Sequence, residues 1–159
     1  MQNDPITQAK MDSEDIFGRY KQQVADVVIN AIEAHLPGKL AEIRLAAALE
    51  RLDHLAAKEA GWKGPDSVAM PETVRVAAET FLRSNFSDGW MPTLFIGLDA
   101  DGDITVFIKN EQLTMDLSIG TDQLYSCHAK LADDSEFDLE EVLVTEKLPE
   151  KVLAALRGH

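Results

Sequence analysis

Four histidines, one cysteine and several carboxylate runs are the residues here that could bind a metal or move a proton. His35, His54, His128 and His159 are scattered, and nothing reproduces His-x-x-x-His or Cys-x-x-Cys, so no metal-ligand spacing is present. His35 reads as a C-terminal helix cap and His128 as an ordinary strand position. Cys127 and His128 look like a nucleophile and its base, but neighbours on a strand point to opposite faces and cannot share a proton. Asp99, Asp101 and Asp103 alternate around Gly102 as in part of a calcium loop. An EF-hand needs glycine at its sixth position and glutamate at its twelfth; here glycine is fourth and Asn110 stands at the twelfth, so a hairpin turn is the expectation. Gly61-Trp62-Lys63-Gly64 follows a helix and precedes Pro65, which removes an amide donor that a phosphate loop would use. No enzyme motif emerges, and neither a metal nor a cofactor is expected.

Charge is the compositional outlier. Fifteen Lys and Arg stand against 28 Asp and Glu, a net charge of −13. That field disfavours nucleic acid and anionic lipid and favours a basic partner. The excess is uneven: residues 1–60 carry ten acids and seven bases, residues 61–159 carry 18 and eight. Between Asp88 and Glu141, 13 acids face only Lys109 and Lys130. In the second helical segment Lys39, Arg44, Arg51 and Lys58 are balanced by Glu42, Glu50, Asp53 and Glu59, so a DNA-reading basic stripe is absent and no direct nucleic-acid binding is expected.

The elements that position these groups follow from hydrophobic period. Within residues 13–36, Phe17, Tyr20, Val24, Val27, Val28, Ala31 and Ile32 recur at helical steps up to Pro37-Gly38. Residues 39–60 carry Leu45, Leu49, Leu52 and Leu55 on one stripe and end at Gly61, which predicts an antiparallel helical hairpin. Pro71 and Glu72 open a third helix with Val74, Ala78, Phe81 and Leu82 inward, closed by residues 87–89. After Pro92 the period becomes two. Strands are expected over 93–98, 103–109, 113–119 and 124–130, an acidic loop over 133–138, and a fifth, edge strand over 141–145. Pro149 opens a short last helix with Val152, Leu153 and Leu156 inward. The expected fold is a single α+β domain over residues 1–159: a three-helix layer (13–88) packed on an antiparallel meander of four to five strands with a terminal helix (92–159). With 45% apolar residues the chain can bury a core.

Met1-Gln2-Asn3-Asp4-Pro5 lacks a signal peptide's basic and apolar regions, the longest apolar run (45–49) cannot span a bilayer, and the lone cysteine fits a reducing compartment. The chain reads as soluble, cytoplasmic and bacterial.

Residues 90–130 carry a further pattern: Pro92, Asp101-Gly102-Asp103-Ile104-Thr105-Val106-Phe107, Leu117-Ser118-Ile119-Gly120 and Leu124-Tyr125-Ser126. It resembles the β-module of small uncharacterised bacterial proteins with an Asp-Gly-x-Ile hairpin and a Ser-Ile-Gly turn. Phe107 stands where that family has Trp, and the resemblance implies no activity.

The functional expectation is a non-catalytic interaction or regulatory protein, such as an inhibitor, immunity factor or accessory subunit, that binds a basic protein surface. Asp133, Asp134, Glu136 and Asp138, with Asp99, Asp101 and Asp103, are the candidate contacts. Trp62 and Trp90, flanking the third helix, serve either as packing at the layer seam or as interface anchors. The alternatives are a DNA mimic filling a nucleic-acid-binding groove and a small enzyme with dispersed catalytic groups.

Overall fold

A computed structural model describes the backbone of residues 5–36 and 38–158, with side chains from Ile16 onward except Glu33 and His35. Residues 1–4, Pro37 and His159 lie outside the described residues, as does the side chain of His35. The fold is α+β: three N-terminal helices, a five-stranded antiparallel meander and a short C-terminal helix. The chain divides into two compact units, residues 1–40 and 41–159. The predicted helical hairpin falls across that boundary.

The first unit is dominated by α1 (Pro5–His35), which starts at a proline rather than at Ser13. Proline suits a first helical turn because its missing N–H has no partner to lose there. The predicted apolar stripe is present but exposed: Phe17, Tyr20, Val24, Val27 and Val28 all retain about half or more of their surface.

The second unit holds the core. After α2 (Lys39–Ala56) and α3 (Glu72–Asn85), strands β1 (Phe95–Leu98), β2 (Ile104–Lys109), β3 (Leu113–Ile119), β4 (Leu124–Leu131) and β5 (Glu136–Leu143) pair in sequence order, before α4 (Glu150–Leu156). Strict alternation places Ile104, Val106, Ile108, Leu113, Met115, Leu117, Ile119, Tyr125, Cys127 and Ala129 on one buried face. Leu52 and Leu55 of α2, Val74, Phe81 and Leu82 of α3, and Val152 and Leu156 of α4 complete the same hydrophobic cluster. Phe81 meets Tyr125 edge to face at 5.0 Å between ring centroids.

Polar groups within the core are satisfied. Asn85, 4% exposed, accepts the Leu148 N–H at 2.8 Å and donates to the Phe81 carbonyl at 3.0 Å, tying the end of α3 to the approach of α4. On β1, the edge strand of the sheet, Arg51 of α2 donates to the Ile96 carbonyl at 3.1 Å, and Arg44 holds the approach to that strand through the Met91 carbonyl at 2.9 Å. An unpaired sheet edge is a template for association, and Arg51 occupies one of its carbonyls.

Two boundaries differ from the sequence expectation. Helix α2 stops at Ala56, not Ala60, and the chain leaves through turns in which Lys58 N–H bonds the Leu55 carbonyl and Trp62 N–H the Glu59 carbonyl. The fifth strand is Glu136–Leu143, not residues 141–145. The supposed acidic loop is therefore only a tight turn at 132–135 followed by half a strand. Glu136, Asp138 and Glu140 alternate with Phe137 and Leu139, so the acids face water while their neighbours turn toward the core.

Candidate binding face of the sheet

Within the second unit, α3 and α4 pack on one face of the meander, and the outward-pointing residues of the strands are exposed or half-buried. Cross-strand register builds it row by row. One row runs Phe95, Phe107, Asp116, His128 and Asp138 across all five strands. The next is Gly97, Thr105, Ser118 and Ser126, all small, and beyond it the β4–β5 register shifts. On the other side lie Lys109, Thr114, Lys130 and Glu136, where Lys130 and Glu136 approach to 3.9 Å.

Thr105, Ser118 and Ser126 line a depression of about 560 Å³ together with the larger side chains of Phe95, Phe107, Asp116, His128, Asp138 and Glu140. The β4–β5 ladder slips by one residue between Tyr125 and Cys127, and Glu141 takes the left-handed conformation at φ 53°. This bulge keeps Leu139 and Val142 on the core side and leaves Glu140 and Glu141 both exposed.

Two features set this face apart from a solvated sheet surface. Phe95 is 69% exposed and Phe107 39%, at directly paired positions. No Lys or Arg lines the depression, and neither Asp116 nor Glu140 has an ion-pair partner among the described residues. Asp138 is engaged: its carboxylate lies 2.6 Å from Nδ1 of His128. That hydrogen bond holds His128 above the ordinary histidine range despite some lost solvation, with the charges of Asp138, Glu136 and Asp116 adding to it.

Cys127 points the other way. It is buried in the core, and burial, with the carboxylates of Asp116 and Asp138, pushes its thiol up to about 12. Cys127 and His128 therefore share no proton path, as strand alternation requires. Among the described residues, no hydroxyl is hydrogen-bonded to His128, and no three His, Cys, Asp or Glu side chains stand together as a metal site.

The nine candidate residues do not form one surface. In an antiparallel meander successive turns alternate between the ends of the sheet, so residues 99–103 and 132–135 lie at opposite ends. Asp99 serves its own turn: Oδ1 accepts the N–H of Asp101 at 2.9 Å and of Asp103 at 3.0 Å, while Gly102 sits at φ 86°. Partial burial, with the charges of Asp99 and Asp101, raises the Asp103 carboxyl above its usual range.

Asp133 accepts from the Ser135 hydroxyl and N–H and pairs with Lys151 at 2.9 Å; these partners hold its carboxyl well below the ordinary range. Asp134 occupies the turn at φ 66°. Only Asp138 and Glu136 belong to the outward face of the sheet, and of these only Asp138 lines the depression.

The tryptophans are half-buried in the scaffold. Trp62 donates to the Val68 carbonyl at 3.3 Å beneath the ammonium groups of Lys58 and Lys63. Trp90 packs on Phe86, with the Arg157 guanidinium 5.2 Å from its ring centroid.

Sequence reasoning missed Phe95, Phe107, Asp116 and Glu140. The available signal was phenylalanine at two outward strand positions where a solvated face would carry polar residues. No helix among the described residues is long and apolar enough to cross a membrane. The chain matches no protein-family profile, no curated protein and no solved structure.

Proposed function

We propose that the protein is a non-catalytic binding module that receives a basic segment of a partner protein on the outward face of its sheet. One observation carries this reading: Asp116 and Glu140, in no ion pair among the described residues, line the same depression as two exposed phenylalanines, and no Lys or Arg lines it. Exposed aromatic groups contribute contact area and unpaired carboxylates contribute charge complementarity, the two components a basic partner would use. The surrounding excess of acids would speed encounter with such a partner. An inhibitor, immunity factor or accessory subunit needs no more than this.

Titration of the isotope-labelled protein with a blocked hexalysine peptide tests the reading by amide chemical shifts. Shifts at Thr105, Asp116, Ser126 and Glu140 that collapse between low and high salt are expected, because exposed charge attraction is screened. Shifts confined to the turns at 99–103 or 132–135, or none at all, would overturn it.

A further inference from the structure

Resting on that reading, we propose that the face reads arginine in preference to lysine, with the partner's guanidinium stacked on Phe107 and its N–H fork on Asp116. The two residues are direct cross-strand partners. Paired positions bring Cβ atoms to about 5 Å, so ring and carboxylate present one composite surface. Phe107 also pairs with Phe95 on its other side, which places a second exposed aromatic residue on the edge strand of the sheet.

A guanidinium is planar, weakly hydrated and always charged. It lies flat on an aromatic ring within about 6 Å of the centroid while offering two parallel N–H groups at its rim. A ring with a carboxylate beside it satisfies both requirements together. An ammonium is a compact, strongly hydrated charge, which gains from the carboxylate but loses hydration if it settles on the ring.

The arrangement of the other acids supports Asp116 as the receiving group. Asp138, next but one in the row, is held by His128 at 2.6 Å, and Glu136 has Lys130 within 3.9 Å. Asp116 has no cation of its own other than His128 opposite it, and His128 directs Nδ1 at Asp138. Glu140 lies two strands away at the far rim of the depression, placed to meet a second basic residue of the same extended segment. The row of Gly97, Thr105, Ser118 and Ser126 between them offers hydroxyls and no bulk.

The test compares blocked hexapeptides of equal charge, one of arginine and one of lysine, titrated into the full chain and followed by amide and aromatic shifts. The expected result is arginine binding about tenfold tighter, with ring-current shifts of the bound arginine side-chain protons and perturbed ring-proton signals of Phe107 and Phe95. Phe107→Leu should abolish that difference by weakening the arginine peptide far more than the lysine peptide; Asp116→Asn should weaken both peptides. The Phe107→Leu amide spectrum serves as the folding control, and Phe95→Leu gives a second variant of the same platform. Equal affinities, or a preference that survives Phe107→Leu, overturn the arginine assignment and leave the basic-partner reading standing. Absence of shifts on this face with either peptide overturns both.

Discussion

His128 and Asp138 pair directly across β4 and β5, with Nδ1 and Oδ1 2.6 Å apart, and the contact is made on the exposed side of the sheet while Cys127 beside it is sealed in the core. The hydrogen bond favours the imidazolium, so His128 is raised above its ordinary value. A group whose native pKa is raised contributes stability that is fully present below its unfolded value, near 6.5, and lost as pH rises through the higher native value. Proton NMR of the His128 ring should therefore show a titration above that of an unfolded reference. Asp138→Asn should bring it down. An unchanged titration in that variant would show that the carboxylate is not the cause.

Cys127 is pushed up to about 12, chiefly by burial. At pH 8 roughly one thiol in ten thousand is then ionised, and the thiolate is the reactive form. Labelling by a disulfide reagent should run at least about a hundredfold slower in the native protein than in denaturant. Native labelling within a few-fold of the unfolded rate would contradict both the burial and the strand parity.

Strand parity can also be tested by stability. Leu117 faces the core at 3% exposure and Thr114 faces outward on the same strand. Leu117→Asp should cost several kcal/mol, about 3–5, because it buries an unpaired charge. Thr114→Asp, placed between Lys109 and Lys130 in the register, should stay within about 0.5 kcal/mol of the parent. Denaturant melts in which the two variants behave alike would refute the register.

The turn role of Asp99 separates geometry from charge. Its Oδ1 accepts two backbone N–H groups, and an asparagine oxygen can do the same. Asp99→Asn should keep the parent stability, whereas Asp99→Ala should lose about 1 kcal/mol. If the asparagine variant loses as much as the alanine variant, the charge itself matters and a pure turn is the wrong description.

Much of this fold was legible because period is local. Leu113, Met115, Leu117 and Ile119 alternate without interruption, and β3 begins and ends where that pattern does. Pro71 and Pro149 stand at the N-caps of α3 and α4 as their fixed φ suggests. The fifth strand was misread for a physical reason: Glu136, Phe137, Asp138, Leu139 and Glu140 also alternate, but three carboxylates in five residues look like a solvated loop when counted as charge.

An apolar stripe such as that of α1 announces a face and not its occupant, so its exposure could not be read from period. The candidate site was hidden for a third reason. Phe95, Phe107, Asp116, His128 and Asp138 are spread over 44 positions and become neighbours only through register, which depends on the lengths of the four turns.

Where the charge acts is the remaining question, and the two acidic groups can be set against each other. Asp133 is already satisfied by Ser135 and Lys151, and Asp134 sits in a turn at one end of the sheet. Asp116 and Glu140 stand at the depression without ion-pair partners among the described residues. Neutralising Asp116 and Glu140 together, to Asn and Gln, should weaken hexalysine binding and flatten its salt dependence, since two screened attractions are removed. Neutralising Asp133 and Asp134 to Asn removes the same formal charge from the molecule. If long-range field alone governs association, the two double variants should bind equally. If the sheet face is the site, only the first should lose affinity, while the second should show instead a loss of stability from the broken Lys151 contact, read as a lower midpoint in a denaturant melt. Equal binding by both variants would assign the association to the general acidic field of the molecule and remove the basis for a site on the sheet.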